Sequence, residues 1–133
     1  MMIKKLFLTL VIAITFFSCK KPAGEGGSSS IKGTVMAEDW NSSLTALKYQ
    51  YPAVDAEVYI IYGNDVSFGD KTNTNGNGEY EFKYLRKGSY KIYVVGKEKV
   101  GSTGDTKDVA VEVSASISKN KQTVTAPQIT VKL

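Results

Sequence analysis

The chain has 133 residues, room for one ordinary domain and a short leader. Its 42% hydrophobic and 23% charged content is that of a globular protein, not a disordered one. The formal charge of +4 falls to about +2 once Lys4 and Lys5 are set aside with the leader, and acids and lysines intersperse thereafter, which argues against a nucleic-acid partner.

The chain opens as a targeting segment. Met1 to Lys5 form a basic n-region and Leu6 to Phe17 an apolar run too short to span a bilayer comfortably. Ser18 then precedes Cys19 in "TFFSC". This arrangement resembles a bacterial lipoprotein signal, with residues 1–18 removed and Cys19 lipidated as the first mature residue. Phe16 and Phe17 stand where the commonest pattern has Leu and a small residue. Other roles for Cys19 fail on chemistry. It is the only cysteine, so it has no intramolecular disulfide partner, and without histidine there is no imidazole to generate a thiolate. Lys20 in place of Asp implies the outer membrane, and the basic "CKKPAG" implies its periplasmic face rather than the cell surface. Residues 20–30, rich in Gly and Ser, are expected to be a flexible tether with a reach of roughly 20 Å.

From Ile31 the apolar period becomes two. "IKGTVM" aligns Ile31, Gly33 and Val35; "DAEVYIIY" aligns Ala56, Val58, Ile60 and Tyr62; "EYEFKY" aligns Tyr80, Phe82 and Tyr84. "YKIYVV", "DVAVEV" and "QITVKL" continue the pattern through Tyr90, Ile92, Val94, then Val109, Val111, Val113, then Ile129, Val131, Leu133. Such alternation builds antiparallel sheets with one face on a core. Gly- and Asn-rich turns separate the segments, so the expectation is an all-β fold over 31–133, a single antiparallel β-sandwich of about seven strands.

The stretches "IKGTV", "PAVDAEVYI" and "TNTNGNGEYEFKYLRKGSYKIYV" resemble the carboxypeptidase regulatory-like domain, a relative of Cna protein B-type and transthyretin (prealbumin)-like sandwiches. The matching positions are Gly33, Val35, Pro52, Ala56, Val58, Thr74, Gly78, Tyr80, Phe82, Leu85, Gly88 and Tyr90, with Asn75 in place of the usual Asp. The resemblance covers about half the chain and implies a prealbumin-like, Ig-like Greek key; it implies fold more than function.

Three local hypotheses arise. Asn73, Asn75 and Asn77 mimic the opening of a calcium loop, but Tyr84 falls where the bidentate Glu belongs, so a plain turn and no metal are expected. The internal isopeptide bond known in Cna protein B-type relatives would need a buried Lys32 and an Asn or Asp on the last strand; Lys32 alternates outward and "QITVKL" has neither. The third is the insertion at about 37–52. Trp40, Leu44, Leu47 and Tyr51 fall at helix-like spacing, which suggests a short amphipathic turn or helix. It either covers the outward Tyr59, Ile61, Tyr93 and Val95, or presents Trp40, Tyr49 and Tyr51 as an aromatic surface for a ligand or partner.

No enzyme and no cofactor are expected. A transthyretin-like hydrolase relies on His and Arg, whereas this chain has no histidine and its one arginine, Arg86, sits in the turn "LRKG". The expected function is a membrane-anchored protein-interaction or scaffold module of the bacterial envelope, with an envelope protein as partner. The alternative is capture of a carbohydrate or other ligand by the aromatics of the insertion.

Overall fold

The computed structural model describes residues 21–102 and 104–133, so the expected leader and Cys19 lie outside the described residues. Nine strands follow in chain order: β1 (Glu25–Trp40), β2 (Leu47–Pro52), β3 (Glu57–Tyr62), β4 (Asp70–Asn73), β5 (Glu79–Leu85), β6 (Gly88–Val100), β7 (Asp105–Ile117), β8 (Thr123–Thr125) and β9 (Ile129–Lys132). They form two facing sheets. In one, β1 is the spine, with β5 and β2 along one side and β8 and β9 along the other; the second runs β4-β3-β6-β7. The expected all-β sandwich is therefore the fold, with two departures: nine strands are described where about seven were expected, and the pairing is not wholly antiparallel. β8 and β9 run parallel to β1, while every other pairing is antiparallel.

The period-two residues fill the space between the sheets. Ile31 and Val35 of β1, Val58 and Ile60 of β3, Ile92 of β6 and Ile129 of β9 are all 0% exposed. Burying each such side chain is worth about 1.5–3 kcal/mol, which is why a slip of one residue in any strand is strongly disfavoured. Gly33 belongs to this packing. It pairs directly with Tyr80, and a Cβ there would lie 2.4 Å from the tyrosine Oη. The ring occupies the space that the missing side chain leaves.

Two expectations fail at the edges of β5 and β1. Tyr84 does not join Tyr80 and Phe82 in the core; it is 73% exposed, and Leu85 is buried in its place. Ile31 faces Phe82 while Ser29 faces Leu85, so two steps of β1 oppose three of β5. Tyr84 is the extra residue, at φ 60°, and this bulge reverses the alternation.

The second correction concerns the tether. Residues 25–30 are strand, and attachment begins earlier still. The Arg86 Nε donates to the Pro22 carbonyl at 2.8 Å, the Arg86 amide to the Gly24 carbonyl at 2.8 Å, and the Gly24 amide to Tyr90 Oη at 2.9 Å. Glu25 and Ser29 both register with Leu85, so β1 bows over that residue through 26–28. A Cβ on Gly27 would lie 2.0 Å from the Leu85 carbonyl oxygen. The serines are structural too: Ser29 Oγ donates to the Lys119 carbonyl and accepts from the Gln122 amide, and Ser28 Oγ accepts from the Lys121 amide. A Gly/Ser run that composition reads as flexible is here a set of close approaches and short polar bridges.

Candidate functional site

The bonds between Gly24 and Tyr90 place the starts of β1 and β6 at one end of the sandwich. Both strands therefore finish at the opposite, distal end, where the β1–β2 and β6–β7 hairpins extend. β9 finishes there as well, with the Leu133 amide bonded to the Glu38 carbonyl at 3.0 Å. β3 and β6 are paired only from Tyr59 opposite Tyr93 to Tyr62 opposite Tyr90. Beyond Tyr59 the two strands part, and a cleft of about 470 Å³ opens between them.

The floor of the cleft is buried: Ala53, Val94 and Val131. Its rim is apolar and exposed: Tyr51 at 42%, Val54 at 61%, Val95 at 43% and Leu133 at 56%. The β2–β3 connector forms one wall, and buried Thr74 holds it in place. Thr74 Oγ1 donates to the Ala53 carbonyl at 2.6 Å and accepts from the Ala56 amide at 2.8 Å. The Ala53 amide in turn bonds the Val35 carbonyl at 2.9 Å. The wall is thus fastened to β1 and to the turn after β4, so the cleft is largely formed before anything binds.

One carboxylate lines it. Glu57 accepts a 2.6 Å hydrogen bond from Tyr59 Oη and lies 3.6 Å from Lys71 Nζ. The tyrosine hydroxyl first, then the lysine, holds the Glu57 carboxyl below the usual carboxylate range, while the same bond raises the Tyr59 phenol.

The three aromatics singled out in the insertion are not brought together. The insertion contains no helix: β1 continues to Trp40, a turn follows, and β2 returns as an exposed strand paired with β1. Asn41 closes that turn, its Oδ1 accepting from the Thr45 and Ala46 amides. Tyr51 opposes Ala37 and Tyr49 opposes Asp39, so both lie on the inward side of this sheet's overhang. Trp40 belongs with Glu38 and Lys132 on the outer face. Its Nε1 donates to Glu38 Oε2 at 2.7 Å, and Lys132 Nζ sits 4.6 Å from the ring centroid. Only Tyr51 lines the cleft; Tyr49, 69% exposed, stands farther out along β2.

Nor does the insertion cover Tyr59 and Tyr93, because β2 extends the other sheet. Those rings cover each other, stacked at 4.9 Å and 11°, with Phe68 edge-on to Tyr59 at 4.9 Å. The sequence pattern marked Val95 as outward-facing, but nothing local tied it to Val54 and Leu133. The calcium-like asparagines form a turn. Asn75 Oδ1 accepts from the Asn77 and Glu79 amides, both at 2.9 Å, and so serves the backbone. Lys32 is exposed opposite Glu81.

No family model matches the chain, and no curated protein matches it. One solved structure that resembles it is a "putative carbohydrate binding protein" from Pseudomonas aeruginosa, 13% identical, with a TM-score of 0.45, covering 84% of this chain and 92% of that one.

Proposed function

We propose that this is a non-enzymatic, lipid-anchored binding module of the bacterial envelope that holds an apolar segment of a protein partner in the distal cleft. The observation that carries the reading is the exposed rim of Tyr51, Val54, Val95 and Leu133 over a buried apolar floor. A concave apolar site on a rigid wall suits a hydrophobic anchor from a partner. A sugar site would need many more hydrogen-bonding groups around its stacking ring. Glu57, held ionised, is unsuited to act as a general acid, which requires the opposite shift.

The test is a photo-crosslinking residue placed in the living cell at Tyr51 or Val95, with Lys83 on β5 as control. The reading expects one common adduct from both cleft positions and none from the control. Val95→Asp should weaken that complex about tenfold or more, as loss of an interface anchor does. Equal adducts from all three positions would sink it.

The carbohydrate reading keeps one specific support: Tyr49 and Tyr51 lie two residues apart on one face of β2, both exposed. An oligosaccharide bound there should be lost in Tyr49→Ala, a substitution that leaves the cleft adduct intact. Absence of any calorimetric response to envelope oligosaccharides would remove this second reading.

A further inference from the structure

We propose that the end opposite the cleft is a docking face for anionic phospholipid headgroups, so that the domain rests on the membrane and does not float above it. This rests on the reading of Cys19 as the lipid anchor. Attachment to the sandwich starts at Pro22, whose carbonyl accepts from Arg86 Nε. Two residues, Lys20 and Lys21, lie between it and Cys19, and the three peptide steps span at most about 10 Å. An acylated Cys19 therefore holds this end against the headgroups.

The surface presented there has the matching charge. A basin of about 840 Å³ is lined by the cationic Lys21, Arg86 and Lys87, the polar Ser118 and Asn120, and the backbone-rich Pro22, Ala23, Gly26 and Gly27, with no carboxylate in its lining. Lys119 and Lys121 flank it on the turn that Ser28 and Ser29 hold in place. The carboxylates toward this end are Glu25, at the start of β1, Asp65, in the loop whose Gly63 amide bonds the Ser89 carbonyl, and Asp70, which shares a hollow with Glu25 on the flank of the basin. The four ion pairs seen among the described residues use Lys71, Lys83, Lys97 and Lys107, and so leave these five cations to other partners. Toward the distal end Glu38, Asp39, Asp55, Glu57, Glu98 and Asp108 stand among Lys48, Lys71, Lys97, Lys99, Lys107 and Lys132, and three of the acids are paired with lysines. The excess positive charge is thus concentrated at the anchored end, while the cleft end is near balance. Docking would point the cleft away from the bilayer.

The experiment uses the lipidated protein reconstituted in vesicles of phosphatidylcholine, with or without phosphatidylglycerol. An environment-sensitive dye is attached at Asn120→Cys, and at Gln50→Cys on β2 as the distal control. With phosphatidylglycerol the Asn120 dye should report headgroup contact and the Gln50 dye should not. Contact should be lost at 1 M salt, where the screening length is about 3 Å. It should also be lost in the triple variant Lys87→Glu, Lys119→Glu, Lys121→Glu, which leaves Arg86 and its bond to Pro22 in place. Equal dye signals in neutral and anionic vesicles, or a triple variant that behaves as wild type, would overturn the proposal.

Failure of the anchor reading is separately visible. Mass spectrometry of the same preparation would show Cys19 unacylated. The docking face is then judged on a soluble chain lacking 1–18 with Cys19→Ser, which keeps every described strand. Each basic residue near an anionic surface is worth about fivefold in partitioning. This chain should float with anionic vesicles, and the triple variant at least about a hundredfold less. A chain that ignores anionic vesicles refutes the face regardless of lipidation.

Discussion

Gly27→Ala is the sharpest test of how the N-terminal segment is held. The new Cβ would lie 2.0 Å from the Leu85 carbonyl oxygen, 2.3 Å from its carbon and 2.5 Å from the Arg86 nitrogen. All three atoms are backbone, so no rotamer change relieves the clash. Either β5 shifts away from β1, or 22–27 lets go. Letting go sets the ceiling on the cost. It forfeits the Arg86 amide bond to Gly24, the Gly24 amide bond to Tyr90 and the Arg86 Nε bond to Pro22. At about 1 kcal/mol each these total about 3 kcal/mol, less whatever chain entropy the released residues regain. We expect a loss of about 2 kcal/mol in urea unfolding of the soluble chain, and a fall in Tm of roughly 10 °C. Hydrogen exchange at the Arg86 amide should accelerate at the same time. Gly76→Ala is the internal control, since a Cβ there meets nothing within 4 Å, and it should be close to neutral. If Gly27→Ala unfolds within about 0.5 kcal/mol of wild type and Arg86 protection is unchanged, the segment is the loose tether its composition suggests, and the docking argument falls with it.

High pH should unfold the domain through its buried phenols. Burial pushes Tyr80 and Tyr62 up to about 12, whereas unfolded tyrosines ionise near 10. Between those values the unfolded chain has released protons that the folded one keeps, so stability is complete below pH 10 and falls as pH rises towards 12; Tyr80 accounts for at most about 3 kcal/mol of the loss. Urea midpoints that stay flat across that range would contradict the burial of these rings. Tyr80→Phe should raise stability at neutral pH by about 1 kcal/mol, because it removes a buried Oη with no hydrogen-bond partner in the structure. A drop in Tm would mean that Oη is satisfied after all. Gly33→Ala should destabilise by about 1–3 kcal/mol by overpacking against the Tyr80 ring, although Ala normally improves on Gly inside a strand; a gain in stability would show that the ring lies elsewhere. Asn75→Ala should cost about 1 kcal/mol, since Oδ1 closes the turn through two amides, and a neutral calorimetric result would show those bonds idle.

The strands with a clean period of two were legible without any structure. Ile31, Val35, Val58, Ile60, Ile92 and Ile129 announce a buried face by spacing alone, because a strand turns its side chains to alternate sides whatever it packs against. The hairpin turn at Asn75 was legible for the same local reason: an Asx side chain caps amides two to four residues away. Three features depended on contacts between segments distant in sequence. The Gly26–Gly27 stretch reads as a hinge until Leu85, nearly sixty residues later, is seen pressing on it. Tyr84 continues an alternating run on paper, yet its positive φ reverses the count where β1 bows away. The cleft gathers Tyr51, Val54, Val95 and Leu133 from three separate parts of the chain. Side-chain periodicity is a property of one strand and is written in its own residues. Which glycine meets a foreign carbonyl, and where two sheets part to leave a cleft, depends on how the strands pair, and only the assembled sandwich decides that.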